Sequence, residues 1–196
     1  AVDPNDPKGI VWIASYPKSG NTWVRVFLHH LIRQSAGAPL EDNDLDELGR
    51  TTASLAGRVD LYARVLGKPV TAADPHEIAA ARAKVQQIVM QEANGVVFSK
   101  THSFLGRVFH VPTIDRTASA GGIYVIRNPL DVCLSLAAHL NVSVDKAIHS
   151  LGVPMNASVL TEDNAPEVWG SWSENVLSWT RKPNPAIFVM RYEDMK

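Results

Sequence analysis

Residues 10–14 (IVWIA) form a short apolar run, and residues 15–23 (SYPKSGNTW) follow it directly. The run predicts a buried strand, and the apolar spacing beyond it predicts a helix. A strand, a short polar loop and a helix in this order direct the loop's N–H groups and the positive end of the helix dipole at one point. The sequence therefore predicts an anion site, to which Lys18, Ser19 and Thr22 can add one ammonium and two hydroxyl groups.

The loop differs from the loop that binds nucleoside triphosphates. In G-x-x-x-x-G-K-[ST] the lysine follows the second glycine, whereas Lys18 precedes Gly20 by two residues. None of the predicted strands ends in an evident acidic ligand for the metal ion of a phosphoryl-transfer site. These departures favour an ester phosphate or a sulfate, and a nucleotide kinase or NTPase stays open as a less favoured alternative.

Residues 96–99 (VVFS) predict a strand that runs directly into Lys100, Thr101 and His102. In open α/β sheets ligands collect at the carboxyl ends of strands, which sets His102 apart from the other histidines of the chain. A histidine has the intrinsic pKa to accept a proton from a hydroxyl or an amine near neutral pH. His102 is therefore the candidate general base. The histidines show no metal-ligand spacing, so no metal site is expected.

Residues 123–126 (IYVI) predict another buried strand, after which Asn128 and Pro129 predict the N-cap and first residue of a helix. Arg127 therefore stands between the end of a strand and the start of a helix. Ser135 lies seven residues beyond the cap, about two helical turns further on, and so on roughly the same face. The guanidinium and the hydroxyl can therefore bind one phosphate group from two sides.

These three motifs together resemble those of sulfotransferases that use 3′-phosphoadenylyl sulfate (PAPS). Residues 16–23 (YPKSGNTW) are similar to the family's 5′-phosphosulfate loop. Residues 100–102 (KTH) are similar to its catalytic segment, in which the histidine is the general base. Residues 122–135, with Arg127 and Ser135 eight positions apart, are similar to its 3′-phosphate motif. The order and separation of the motifs fit the family as well.

The resemblance implies an α/β chain with a three-layer P-loop-NTPase-like fold, in which helices flank a central parallel sheet. It also implies transfer of a sulfonate group from PAPS, the co-substrate, to a hydroxyl or amine of a small organic acceptor. The product would be adenosine 3′,5′-bisphosphate, and no metal would be needed. A module that binds this bisphosphate without catalysis is the alternative.

The resemblance further implies a role for each site residue. His102 would accept the acceptor's proton, Lys18 would stabilise the leaving oxygen, and Lys100 would help to bind the sulfonate. Trp23 would stack on the adenine, and Tyr192 would lie near it. The full set of nucleotide-binding residues would be Lys18, Ser19, Gly20, Asn21, Thr22, Trp23, Arg127, Ser135 and Tyr192.

Residues 191–196 (RYEDMK) resemble the family's segment after its late strand. In the family the chain then continues to a basic Arg-Lys-Gly loop that closes over the 3′-phosphate, and this sequence stops before such a loop. We therefore expect residues 1–196 to form one sulfotransferase domain that lacks its C-terminal part.

Composition limits the possible partners. The chain has 196 residues, 45% hydrophobic and 20% charged, which is typical of a globular domain. Its net charge of −1 gives no electrostatic reason to expect nucleic-acid binding, and no apolar run is long enough to span a membrane. The single Cys133 excludes an intrachain disulfide framework and favours a cytoplasmic location. The expected partner is a small-molecule acceptor, and a second copy of the chain in a homodimer is a further candidate.

The pattern as a whole alternates strands and helices, which favours a parallel sheet covered on both faces. Residues 36–73 and 141–168 lack clear periodicity and are the candidate acceptor-binding segments. Three helices are expected besides the one after Pro129. The first carries an apolar stripe (Val24, Phe27, Leu28, Leu31, Ile32), and the second is capped by Asp74 and ends near Asn94. The third is capped by Ser171 and has Trp172, Val176 and Trp179 on one face, and a final buried strand is expected over 187–190.

Overall fold

The computed structural model describes residues 8–37 and 48–195. The strands are Gly9–Ser15 (β1), Val96–Thr101 (β2), Arg107–Val108 (β3), Val111–Pro112 (β4), Ser119–Ile126 (β5) and Ile187–Arg191 (β6). The α-helices are Asn21–Ser35 (α1), Leu48–Thr52 (α2), Val59–Leu66 (α3), Pro75–Glu92 (α4), Pro129–Leu140 (α5), Val144–Gly152 (α6) and Trp172–Thr180 (α7). Four strands form one parallel sheet in the order β2-β1-β5-β6, and β3 and β4 form a small antiparallel pair.

The sheet buries side chains on both of its faces because successive strand residues point to opposite sides. Trp12 of β1 lies in one apolar cluster with Val85 of α4 and Trp179 of α7. Its neighbour Ile13 lies in a separate cluster with Val24 of α1. Helices thus cover both faces of a parallel sheet, which confirms the predicted three-layer α/β fold.

The strand order places the predicted motifs at one edge of the sheet. Strand β1 lies between β2 and β5, so the connections that leave β1 and β2 reach strands on opposite sides of it. This arrangement is a topological switch point, where α/β sheets bind their ligands. Near the carboxyl ends of the strands, Ala14 pairs with Thr101 and Ser15 pairs with Val125. The segments that follow the three strands therefore start side by side.

The predicted helix starts are confirmed. Asp74 caps α4, with Pro75 as its first residue, and Asp74 forms a reciprocal capping box with Glu77. Ser171 caps α7 through a second capping box. The Asn128 side chain caps α5 by accepting a hydrogen bond from the backbone N–H of Leu130 at 3.0 Å.

The predicted apolar stripe of α1 is only partly buried. Val24 and Leu28 are buried, but Phe27 is 64% exposed and Leu31 is 45% exposed. The reason is the hydrogen bond from the Asn21 side chain to the Ile13 carbonyl, 2.8 Å long, which turns the face that contains Asn21 toward β1. The buried face is therefore rotated away from the centre of the predicted stripe.

Two other expectations need correction. Strand β6 is not buried: Phe188 is 64% exposed and Val189 is 41% exposed, because within the described ranges β6 lies at the sheet edge and pairs with β5 alone. Residues 141–168 contain a regular helix, α6, which buries only Ala147 and so leaves too little periodicity in the sequence. Within residues 36–73, the described part forms α2 and α3, and residues 38–47 lie outside the described residues.

The turn from the loop into α1 requires a glycine. Gly20 has φ 99°, and a Cβ atom at this position would collide with the ring of Tyr192. We expect Gly20→Ala to lower the free energy of unfolding by about 1–3 kcal/mol, measured by urea unfolding. Gly67→Ala is the control, because Gly67 has φ 70° but no atom within 4 Å of an added Cβ. Equal losses in the two variants would contradict a steric role for the Tyr192 contact.

Candidate active site

The loop between β1 and α1 keeps donor groups available for an anion. Gly20 occupies the N-cap position of α1, and no side chain caps this helix. The Trp23 N–H donates to the Gly20 carbonyl at 3.0 Å, which leaves the N–H groups of Asn21 and Thr22 for another acceptor. The Ser19 hydroxyl is buried, and among the described residues it has no hydrogen-bond partner. The local geometry therefore agrees with the anion site that the sequence predicts here.

The ring of His102 is fixed by a backbone carbonyl. Its Nδ1 atom lies 2.8 Å from the carbonyl oxygen of Ser15, at the end of the neighbouring strand. Because a carbonyl oxygen can only accept, Nδ1 donates the hydrogen, and Nε2 is left with a free electron pair. The backbone of His102 is held as well, since the buried Asn175 donates its amide to the His102 carbonyl at 2.9 Å.

The surroundings keep His102 neutral. Burial and, to a lesser extent, the charge of Lys100 lower the pKa of His102 from 6.5 to about 4, against the opposing charge of Glu167. At neutral pH the imidazole is therefore unprotonated and able to accept a proton.

Glu167 is a functional candidate that the sequence reasoning missed. One carboxylate oxygen accepts hydrogen bonds from the Thr101 hydroxyl and the His102 backbone N–H, each at 2.9 Å. The other oxygen forms an ion pair with Lys100 at 2.9 Å. Burial alone would raise the pKa of Glu167, but the charge of Lys100 and the hydrogen bonds from Lys100 and the His102 backbone N–H lower it overall. Glu167 thus contacts all three residues of the Lys-Thr-His segment.

Arg127 joins the second phosphate motif to the loop. Its Nη1 atom donates to the Lys18 carbonyl at 3.0 Å, and its guanidinium lies 4.3 Å from the centre of the Tyr192 ring. Its Nε atom is buried, and no hydrogen-bond partner for it exists in the described part of the chain. Arg127, Tyr192 and the loop after β1 therefore form one contact network.

One pocket of about 860 Å³ contains nearly all of the predicted site residues. Ser19 is the exception, because its side chain is buried behind the loop. The pocket also reaches both candidate acceptor-binding segments, through Ala56 and through Asn156–Val159. The predicted residues that line the pocket are Lys18, Gly20, Asn21, Thr22, Trp23, Lys100, His102, Arg127, Ser135 and Tyr192.

The described residues contain neither a candidate metal site nor a candidate membrane-spanning helix. Within residues 8–37 and 48–195, no group of three or more His, Cys, Asp or Glu side chains is arranged to hold a metal ion. Over the same ranges, no helix combines the length and apolar character that crossing a bilayer requires.

Fold and site define an α/β protein with a polar, glycine-containing loop at the switch point of a parallel sheet. The family model for the sulfotransferase domain matches residues 8–196, and the chain belongs to that family. No curated protein sequence matches the chain significantly.

Two solved structures are similar in fold. The first is mouse sulfotransferase SULT7A1 complexed with PAP, with 17% identity, a TM-score of 0.51, and coverage of 99% of this chain and 54% of that chain. The second is retinol dehydratase in a complex with retinol and PAP, with 17% identity, a TM-score of 0.52, and coverage of 97% of this chain and 57% of that chain. The chain therefore spans just over half the length of these proteins.

The lowered pKa of His102 predicts a pH dependence of stability. The unfolded chain protonates this histidine near pH 6.5, whereas the folded chain does so only near pH 4. Stability therefore falls as the pH falls from 6.5 to 4, by up to about 3 kcal/mol from this residue. Urea unfolding of wild type and His102→Gln between pH 7 and pH 4 should show a flatter dependence for the variant. His149→Gln, at an exposed position of α6, should keep the wild-type slope.

Proposed function

We propose that this chain transfers a sulfonate group from PAPS to a hydroxyl or amine of a small organic acceptor, with His102 as general base. The observation that carries the proposal is the hydrogen bond from His102 Nδ1 to the Ser15 carbonyl, which leaves Nε2 unprotonated in the pocket. Family membership supports the reaction class. Both fold relatives were crystallised with PAP, the bisphosphate that remains after sulfonate transfer.

The donor set of the pocket suits a nucleotide with two phosphate-bearing positions. The Ser19 hydroxyl and the Arg127 Nε atom are buried polar groups, and neither has a partner in the described ranges. Arg127 lines the pocket, so an anionic ligand would offset part of its desolvation cost, whereas the Ser19 side chain lies behind the loop. Ser19 belongs to the loop proposed for the 5′-phosphosulfate, and Arg127 belongs to the motif proposed for the 3′-phosphate.

The chemical roles follow from charge and position. PAPS supplies an electrophilic sulfonate attached to a good leaving group. As the acceptor oxygen or nitrogen bonds to sulfur, His102 Nε2 accepts its proton. Lys18 stabilises the negative charge on the bridging oxygen as the bond between that oxygen and sulfur breaks.

The ion pair with Glu167 limits the number of ammonium hydrogens that Lys100 can direct at a ligand. One of these hydrogens is directed to Glu167, so the remaining ammonium hydrogens are available to the sulfonate oxygens, together with the N–H groups of residues 20–22; the Ser19 N–H instead donates to the Tyr16 carbonyl. Glu167 therefore holds Lys100 in place and keeps the ammonium from moving toward the base. In this proposal Glu167 is a positioning residue, not a catalytic one.

The nucleotide's base and 3′-phosphate are assigned to the other side of the pocket. Arg127 and Ser135 would bind the 3′-phosphate. The indole of Trp23 is 63% exposed and lines the pocket, so its face is accessible for stacking on adenine. Tyr192 would contact the adenine with the edge that Arg127 leaves uncovered.

The single domain, the cytoplasmic location, the homodimer and the absence of nucleic-acid partners stay predictions.

Replacing the general base should separate catalysis from binding. We expect His102→Gln to reduce the rate of PAP formation from PAPS by at least about 10²-fold with any acceptor of a panel of phenols, alcohols and amines. PAP affinity should stay within about twofold of wild type, because Gln retains polarity and size. The measurements are initial rates and calorimetric titration, with His149→Gln as the control. Normal turnover of His102→Gln would show that the base is misassigned. If the wild-type protein binds PAP but does not turn over PAPS, the alternative of a non-catalytic bisphosphate-binding module is favoured.

The 3′-phosphate assignment is tested by comparing two nucleotides without magnesium. We expect adenosine 3′,5′-bisphosphate to bind at least about tenfold more tightly than 5′-AMP, because charged hydrogen bonds to the extra phosphate are among the strongest in proteins. Ser135→Ala should reduce this preference and Arg127→Gln should abolish it, as measured by calorimetric titration.

Arg64→Gln is the matched control for the nucleotide comparison, because Arg64 pairs with Glu92 on the surface and does not line the pocket. An unchanged preference in Arg127→Gln would assign the 3′-phosphate to other residues. Equal binding of both nucleotides by wild type would contradict the assignment altogether.

A further inference from the structure

Arg25 is a cation of the pocket to which the proposed reaction gives no role. It lies on α1 and lines the same pocket as His102. Its Nε atom donates to the Thr52 hydroxyl of α2 at 2.9 Å. In the described part of the chain, no carboxylate forms an ion pair with Arg25. The two terminal nitrogens of the guanidinium likewise have no hydrogen-bond partner among those residues.

The charges that line the pocket are unequal in number. Glu167 is the only carboxylate among the described lining residues, and its partner is Lys100. Lys18 and Arg127 are assigned to the nucleotide by the proposed function. After these assignments, one lining cation is left without an anion, and that cation is Arg25.

Arg25 is placed to contact the acceptor. Its side chain extends from α1 to Thr52 and thus toward the 36–73 segment, one of the two candidate acceptor-binding segments. It also lies near the base, since the charge of Arg25 helps to lower the pKa of His102. Arg25 is half-buried, and burial lowers its pKa, as expected for a guanidinium that has lost part of its hydration. A partly dehydrated cation that no carboxylate of the described residues neutralises gains from an anionic ligand.

We propose that Arg25 binds an anionic group of the acceptor, a carboxylate or an equivalent oxyanion, and so selects acidic acceptors. This inference rests on the proposed function, because it takes the nucleotide to occupy Lys18 and Arg127. The fixed Nε–Thr52 hydrogen bond orients the guanidinium plane, and its terminal nitrogens present the fork that matches two carboxylate oxygens. The acceptor's nucleophile then lies at His102 while its charge lies at Arg25.

The test compares two phenols of nearly the same shape, 4-hydroxybenzoate and 4-hydroxybenzamide. Each is titrated into the protein saturated with PAP, and binding is followed by NMR of the arginine Nε–H groups up to millimolar ligand. We expect the acid to bind roughly tenfold more tightly than the amide and to shift the Arg25 resonance. Arg25→Gln should reduce the affinity ratio to about one, and Arg25→Lys should retain part of it.

Two matched variants separate the effect of the Arg25 charge from the effect of the structure around it. Thr52→Val removes the hydrogen bond to Nε but keeps the guanidinium, so the preference for the acid should survive in reduced form. Arg64→Gln removes an exposed surface arginine and should leave the preference unchanged. Equal affinities of acid and amide in wild type, or failure of the acid to bind, would overturn the inference without any variant.

The same titrations distinguish failure of this inference from failure of the proposed function. The nucleotide in these titrations is PAP, which contains no sulfonate. If Arg25→Gln loses the preference for the acid while its PAP affinity is unchanged, Arg25 is assigned to the acceptor. A fall in PAP affinity in Arg25→Gln would instead assign Arg25 to the nucleotide and overturn the inference. Failure of wild type to bind PAP would refute the proposed function, whatever the acid and the amide do.

Discussion

The carboxylate of Glu167 makes the interaction on which the arrangement of the site depends. It binds three consecutive residues at the end of β2, through the Lys100 ammonium, the Thr101 hydroxyl and the His102 backbone N–H. The ion pair is largely buried, so the loss of either partner would leave an uncompensated charge next to His102. A segment far along the chain is thereby fixed to β2, and the pocket wall and His102 are held in one geometry.

Strand β1 supplies the other fixed points through its backbone. The Ile13 carbonyl accepts the Asn21 side chain and sets the entry of α1, while the Ser15 carbonyl accepts His102 Nδ1 and sets the tautomer of the base. Both contacts are made by a strand that is hydrogen-bonded on either side. The loop after β1 and His102 therefore share one rigid support, although they lie far apart in the sequence.

Local signals explain which features the sequence could predict. The capping of α4 by Asp74 depends on residues within one helical turn, and the strand ends that carry His102 and Arg127 follow from short apolar runs. Glu167 and Arg25 could not be recognised in this way, because Glu167 and the Arg25 partner Thr52 lie in segments without periodicity, 65 and 27 residues away from the groups they contact. The exposure of β6 could not be predicted either, because an apolar run does not reveal whether a strand has one neighbour or two.

The electrostatics of the pocket connect nucleotide binding to the strength of the base. A histidine with a pKa near 4 is neutral at physiological pH but binds a proton only weakly, which makes it a poor base by itself. Part of that low value comes from the charge of Lys100, with a smaller contribution from Arg25. An anionic nucleotide, and an anionic group at Arg25, would offset these positive charges and raise the pKa of His102 toward the operating pH. Under the proposed function, bound anions therefore strengthen His102 as a base, within the limit that its burial sets.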